Sequence, residues 1–315
     1  MGSWYKRSTP IISFKEGKSL LRNFLVYGKK GLTINPYQGC HHRCGYCYAT
    51  YQWSPEFYDH IYTKINAANL LYNELKKAKK ISCPVMISSA TDAYQPAEIK
   101  YGITRECVKL LQKFGVPYYI FTKSTIIERD FELHKQYSNN CFIVWSITTC
   151  DDIVKRIIEP GTPNSNSIFK VIKRFAKGGV NCAINIDPIM PFITDSKYNL
   201  EKILDYAAAN GVGYVSSGIL RLRSDIWKRV QFILHTLHKE DVIKQYMQIY
   251  NINDFTITKN SLLVDNEYSY NILDLVKNEC RKRSLQYRFP NLIYKTNHDL
   301  TNENSRAVTL LDYIK

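Results

Sequence analysis

The sequence predicts an α/β protein, a partial (βα)6 TIM-like barrel followed by an irregular, partly helical C-terminal extension. Three observations carry this. Short apolar segments of strand length alternate with longer segments of helical period through the middle of the chain, the pattern of βαβ units and a parallel sheet. The units number about six, too few to close an eight-unit barrel, so the barrel is expected to stay open. Glycines at Gly115, Gly178–Gly179 and Gly211 close the helical segments, as helix C-termini favour.

Taken in order, residues 1–30 form an N-terminal extension with apolar pairs and aromatics but no clear helical period. Gly28–Gly31 reads as a turn and Leu32–Ile34 as a short strand. The barrel is expected over 31–238. Pro55–Lys80 reads as one helix whose lysine-rich last turn suits the helix dipole. Strands at Val85–Ile87, Pro117–Thr122, Cys141–Thr148, Val180–Ile186 and Tyr214–Leu220 alternate with helices at Pro96–Phe114, Ile127–Tyr137, Ser165–Ala176, Ser196–Ala209 and Asp225–His238. Residues 239–315 form the C-terminal extension, packed on the barrel, with helical pattern at Val242–Tyr250 and Ile272–Cys280.

The net charge is +15, which favours polyanionic partners such as nucleic acid, although the positive charge is spread along the chain with only short clusters at Lys76–Lys80 and Arg281–Arg283. No apolar run approaches the ~18 residues of a membrane helix, so a soluble protein without membrane association is expected. Nine cysteines, mostly scattered, fit a reducing cytoplasm better than a disulfide framework.

Three of those cysteines are not scattered. Cys40, Cys44 and Cys47 lie in Asn35–Thr50, NPYQGCHHRCGYCYAT, at C-x3-C-x2-C spacing. Thiolates this close can converge on one inorganic centre. With His41 or His42 they make a structural zinc site. Alternatively they hold a four-iron cluster by three corners, leaving one iron open to a small molecule; no fourth cysteine follows until Cys83.

In parallel α/β folds, ligands bind at the C-terminal ends of strands. There the sequence places Ser88-Ser89-Ala90-Thr91-Asp92, Thr122-Lys123-Ser124, Ser146–Asp151, Asn185–Pro188 and, after Ser217-Gly218, Arg221 and Arg223. Each has a plain alternative. Ser88, Ser89, Thr91, Asp151 and Asp152 are residue types that cap helices. Lys123 suits a solvated strand end. Glu159, before Pro-Gly, suits an ordinary turn.

At these residues a family resemblance becomes specific. NPYQGCHHRCGYCYA, TDAYQPAE, FTKS, SITTCDD, EPGTP and IDPIMP, in this order, resemble the spore photoproduct lyase-like branch of radical S-adenosylmethionine (SAM) proteins, often labelled DNA repair photolyase, over about residues 30–225. The resemblance implies a [4Fe–4S] cluster on Cys40, Cys44 and Cys47. It implies SAM contacts from Tyr46 and Tyr48 on the adenine side, from Thr91 with its neighbours Ser89 and Asp92, from Lys123 and Ser146 at the methionyl or ribose end, and from the backbone near Asp187 and Pro188. It implies a one-electron donor such as flavodoxin, reductive cleavage of SAM to a 5′-deoxyadenosyl radical, and hydrogen abstraction from a nucleic-acid substrate.

One departure stands out. Spore photoproduct lyases carry a hydrogen-donating cysteine ahead of the hydroxyl and Asp of the second-strand motif, and that position is Ser89 here. A hydroxyl O–H is too strong a bond for the task. If Ser146 points into the barrel, strand alternation turns Thr148 and Cys150 the same way, making Cys150 the candidate donor. Cys83, Cys107, Cys141, Cys182 and Cys280 read as buried structural cysteines. Tyr94, Tyr118, Tyr119, Arg221 and Arg223 are candidates for the substrate side. A second reading is a maturase of a ribosomally made peptide, acting with a small peptide-binding partner protein. A third is a zinc-stabilised nucleic-acid-binding module.

Overall fold

The computed structural model describes residues 5, 9–26, 29–51, 56–78, 81, 83–252 and 261–289. Its elements in chain order are β1 (Ile11–Lys15), β2 (Arg22–Val26), β3 (Lys29–Ile34), β4 (Tyr37–Gln38), β5 (His60–Lys64), α1 (Ala67–Lys77), β6 (Val85–Ile87), α2 (Ala97–Tyr101), α3 (Ile103–Lys113), β7 (Tyr118–Thr122), α4 (Phe131–Lys135), β8 (Cys141–Ser146), α5 (Asp152–Ile158), α6 (Ser165–Lys177), β9 (Asn181–Ile189), α7 (Lys197–Ala209), β10 (Tyr214–Ile219), α8 (Ser224–Thr236), α9 (Ile243–Ile249), α10 (Asn266–Lys282) and β11 (Gln286–Tyr287).

The main sheet runs β11-β10-β9-β8-β7-β6-β3-β2. From β3 to β10 six strands are parallel, the six-unit barrel read from the alternation. One strand extends each edge: β2 pairs antiparallel with β3, and β11 parallel with β10. The described part of the tail packs on the barrel, with Val276, Cys280 and Leu285 in its main core. A smaller sheet, β1-β5-β4, lies apart. Among the described residues no helix is long and apolar enough to cross a membrane.

Side-chain alternation along the strands builds two apolar layers. Ile87, Ile120, Ile143, Trp145, Ile184 and Val215 face the helices and form the main core. Met86, Tyr119, Phe121, Phe142, Val144 and Ala183 form a separate layer inside the barrel. With both faces covered, the strands read as unbroken apolar runs. Toward the C-terminal ends the inner face turns polar, at Ser88, Lys123, Ser146 and Asn185.

Four local readings are corrected. The helix expected over Pro55–Lys80 forms only over its second part, as α1, and its first half holds strand β5. His60–Lys64 buries Ile61 and Thr63 and leaves the residues between half-buried, and that period of two wins once β1 and β4 pair with it. Within Pro96–Phe114 the chain breaks at Gly102, which adopts φ +61°, and α2 and α3 run separately. Much of Ile127–Tyr137 is a 3-10 turn, with α4 only five residues long. Strand β8 stops at Ser146, and a short helix not read from the sequence, α5, follows, capped by Asp151. Of the glycine turn, Gly28 lies outside the described residues.

Candidate active site

The cysteine loop leaves β4 through Gly39, whose φ of +86° lies in the left-handed region and whose absent Cβ would sit 2.3 Å from the His60 carbonyl. Its backbone is fixed by groups from distant parts of the chain. Gln95 donates from Nε2 to the Gly39 carbonyl at 3.1 Å and accepts from the His41 amide at 3.1 Å. The Tyr58 hydroxyl donates to the Cys44 carbonyl at 2.6 Å. From α8, Arg229 donates to the carbonyls of Gly45 (2.7 Å) and Cys47 (3.2 Å). The end of α5 supplies the Ile158 carbonyl to the Gly45 amide at 2.9 Å, and Gly161 donates to the His42 carbonyl at 3.1 Å. Gly161 lies so close that a Cβ there would come within 2.2 Å of the His41 carbonyl.

The loop forms one wall of a cavity of about 500 Å³, a size that suits a small-molecule ligand. Cys40, Cys44 and Cys47 all line it. So do Tyr46 and Tyr48 of the same loop, together with Ser89, Thr91, Asp92, Lys123, Ser146 and Pro188 from the ends of β6, β7, β8 and β9. The strand-end reasoning and the cysteine spacing thus lead to one place. Of these residues, Ser89 is held by its neighbours: its hydroxyl accepts from Thr33 and Asn35, each at 3.1 Å, and its carbonyl accepts from the Tyr48 hydroxyl.

Two polar networks lie beneath the wall. Asp92 accepts from the Tyr94 amide (2.8 Å), the Thr122 hydroxyl (2.8 Å) and the Lys123 amide (2.7 Å), with His42 Nε2 at 3.0 Å. Burial alone raises its carboxyl, but His42 and the donors outweigh it and hold it below the usual range. Its carboxylate is therefore engaged by the protein, while the residue lines the cavity. Glu159 is 1% exposed. It accepts from Thr148 (2.7 Å), Lys123 (3.3 Å), Lys155 (2.7 Å), Thr162 (3.2 Å) and the Tyr46 hydroxyl. Burial works against its charge, but Lys123 and Lys155 prevail and hold it well below the carboxylate range. Lys123, disfavoured by burial, is held charged by Glu159 and stands 5.4 Å over the Tyr46 ring. Glu159 is no ordinary turn residue. The signal available for it was the spacing Lys155-x3-Glu159, an i,i+4 pair on what proves to be a helix.

Cys150 does not line the cavity. Because β8 ends at Ser146, strand alternation does not reach it. It lies half-buried against the main core, its amide donates to Asn199, and burial pushes its thiol up to about 11. Tyr94 and Tyr118 also lie elsewhere, on the outer face, with hydroxyls joined to the His134 ring at 2.8 and 2.9 Å. Tyr119 belongs to the apolar layer inside the barrel. Arg221 and Arg223 do line the cavity.

The donor set bears differently on the two metal readings. Among the described residues no three His, Cys, Asp or Glu side chains converge on a single ion. The His41 ring bonds Gln95, and the His42 ring bonds the Gly161 carbonyl through Nδ1, with its Nε2 3.0 Å from the Asp92 carboxylate. Tetrahedral zinc by these residues is therefore not supported. A cluster held by three corners spreads its ligands more widely, which suits three thiols along one wall. Burial raises all three thiols, so their thiolates call for a cationic centre. For SAM, the buried hydroxyls of Ser88 and Thr91 have no hydrogen-bond partner and both line the cavity. A polar ligand there would satisfy them.

The family model described as the radical SAM superfamily matches residues 34–219. The chain belongs to the radical SAM superfamily. It is thus an enzyme of that superfamily, whose members use SAM and a [4Fe–4S] cluster. A curated relative of unassigned function from Mycobacterium tuberculosis is 29% identical over 227 residues, 69% of this chain and 66% of the relative. Another from Methanocaldococcus jannaschii is 30% identical over 171 residues, 52% of this chain and 62% of the relative. The match therefore spans just under two thirds of these relatives. Among solved structures, spore photoproduct lyase complexed with dinucleoside spore photoproduct aligns with a TM-score of 0.68 at 10% identity, covering 88% of this chain and 82% of that one. Streptococcus suis SuiB bound to precursor peptide SuiA aligns at 0.53 and 15% identity, covering 82% of this chain and 49% of that one. The fold is the partial barrel that these structures share.

Proposed function

We propose that this radical SAM enzyme abstracts a hydrogen atom from a nucleic-acid substrate. The observation that carries the reading is the cavity itself. It joins three thiols, two unpartnered hydroxyls and a buried ammonium at the C-terminal ends of the strands. In this reading Cys40, Cys44 and Cys47 hold the cluster. Ser88, Thr91, Lys123 and Ser146 bind the polar end of SAM, and Tyr46, Tyr48 and Pro188 flank its adenine. When bound, the cluster and SAM supply one-electron cleavage to a 5′-deoxyadenosyl radical, with flavodoxin or a similar protein as electron source. The chain's own part is to orient and to exclude water. Glu159 holds the Tyr46 ring and the Lys123 ammonium in place. Met86 and Phe121 line the apolar side of the cavity, where little competes with a reactive carbon centre.

The net charge of +15 and the likeness to a lyase solved with a dinucleoside lesion support nucleic acid as substrate. Ser89 speaks against thiol-mediated closure of the reaction at that position. The test is 5′-deoxyadenosine formation by anaerobically reconstituted protein with SAM and dithionite. Stimulation by ultraviolet-irradiated DNA, or by RNA, supports the reading. Turnover indifferent to both, but raised by a candidate precursor peptide, replaces it with peptide maturation.

A further inference from the structure

We propose that the outer face of the small sheet β1-β5-β4 is a platform for single-stranded nucleic acid that runs up to the wall of the cavity. The proposal rests on the nucleic-acid reading above and names the surface that would hold the strand beside the reacting nucleotide. In β5, Ile61 and Thr63 are fully buried, so His60, Tyr62 and Lys64 face the other way. The register sets Ile11, Ser13 and Lys15 of β1 and Gln38 of β4 beside them. Contacts across the strands agree with one shared face. The Ser13 hydroxyl lies 2.6 Å from His60 Nε2, and Lys15 donates to Gln38 at 3.4 Å. The His60 and Tyr62 rings stack with centroids 4.2 Å apart and planes 14° from parallel. Exposed Lys15 stands 5.6 Å from the centroid of the same Tyr62 ring.

Cations crowd one end of this face. Lys64 donates to the neutral Asn35 carbonyl at 2.7 Å. Burial, then Arg22 at the start of β2, then Lys15, pull its ammonium down to about 8, and among the described residues no carboxylate offsets them. Asp59 is taken by Arg43 at 2.6 Å, and Glu16 and Glu56 lie beyond the strand ends. A bound phosphate would relieve that crowding. Cations interleaved with rings suit a single strand, whose backbone meets the charges while its bases stack. A duplex keeps its bases inside and leaves the rings unused. An exposed cation–π contact is weaker than a base stacked on a ring, so Lys15 can leave Tyr62 for a phosphate and uncover the ring. The platform adjoins the cavity. The Asn35 side chain donates to the Ser89 hydroxyl and accepts from the Ala90 amide, each at 3.1 Å, and both residues line the cavity. One residue therefore separates Lys64 from the wall, and β4 leads from Gln38 into the cysteine loop.

A fluorescent single-stranded oligonucleotide is titrated by anisotropy against reconstituted parent, Tyr62→Ala, Tyr62→Phe, Lys15→Gln and Arg22→Gln, with a duplex of the same sequence alongside. Exposed Lys228 on α8, changed to Gln, is the control for general charge loss. We expect Tyr62→Ala to lose about tenfold in single-strand affinity, and Tyr62→Phe, which keeps the ring, to stay within about twofold. Lys15→Gln and Arg22→Gln should each lose about 0.7 in the slope of log affinity against log salt, while Lys228→Gln keeps the parent slope. The duplex should bind more weakly than the single strand, with no response to Tyr62→Ala. Lys15 and Arg22 are exposed, so their variants read the surface even where Tyr62→Ala disturbs β5. Single-strand binding unchanged in Tyr62→Ala and in both charge variants overturns the platform and leaves the nucleic-acid reading standing. Losses in the charge variants no larger than that of Lys228→Gln, with Tyr62→Ala silent, overturn it too, as the attraction of any polyanion. Failure of the parent to bind any oligonucleotide overturns the nucleic-acid reading itself, and the platform with it.

Discussion

Replacing Glu159 with Gln tests the buried network under the cavity. The side chain keeps its shape and loses its charge. One carboxylate oxygen becomes an amide that can only donate. On the Oε2 side it faces Lys155 at 2.7 Å and Thr162 at 3.2 Å. On the Oε1 side it faces Thr148 at 2.7 Å, Lys123 at 3.3 Å and the Tyr46 hydroxyl. Either way a donor meets donors. Two ammoniums, with side chains 2% and 13% exposed, lose their counter-charge. Breaking a buried pair from one side costs about 3–5 kcal/mol. Unfolding entropy of about 2.1 cal/mol/K per residue over 315 residues converts each kcal/mol to roughly 1.5 °C. The melting temperature of Glu159→Gln should therefore fall by about 5–8 °C, read by circular dichroism on the cluster-free protein. A fall under about 1 °C would refute the network as described. Adding Lys155→Met to that variant should recover part of the loss, because it removes one of the stranded charges.

Three further outcomes follow from the same geometry. Gly161→Ala puts a methyl against the His41 and His42 backbone and should lower the iron bound per chain on reconstitution, measured by iron and sulfide assay; parent-level iron would mean that the two loops separate freely. Cys150→Ala should leave SAM-dependent 5′-deoxyadenosine formation within twofold of the parent, since the thiol lies outside the cavity, and a loss of tenfold or more would return it to the site. Asp92 has a depressed carboxyl, so its stabilisation is full above the unfolded value of about 3.9 and is lost as pH falls through the folded value. The melting-temperature gap between the parent and Asp92→Asn should be constant from pH 7 to about pH 5 and should shrink only below about pH 4; a gap that closes near neutrality would contradict the assignment.

The barrel was legible because parallel strands covered on both faces are plain apolar runs, and the helices between them are amphipathic and end in glycines. The cavity wall was legible because such folds gather polar residues at strand ends. What escaped was fixed by contacts between distant residues. His60–Lys64 carries a two-residue period only four or five residues long, too short to resist a longer helical pattern around it, and its strand state depends on β1 and β4. Cys150 was misplaced because β8 stops two residues earlier than its apolar run implied, and extended alternation then no longer applies. Glu159 looked like turn chemistry because, beyond the Lys155 spacing, nothing local reveals that Lys123, Thr148 and Tyr46 also close over it. Asp92 lines the cavity as read, and what escaped is that His42, 50 positions earlier, stands 3.0 Å from its carboxylate.

The anchoring of the cysteine loop also bears on the order in which the site can be finished during synthesis. The three thiols leave the ribosome before the groups that anchor them. The Gly161 carbonyl that receives the His42 ring lies 119 residues further on, and the Arg229 guanidinium that receives the Gly45 carbonyl lies 184 residues further on. Until α8 has emerged and docked, the loop lacks the Arg229 donors to Gly45 and Cys47. A nascent chain therefore exposes three neighbouring thiols until those partners have been made. On the proposed reading, cluster delivery waits for α8 to dock, with the thiols kept reduced meanwhile.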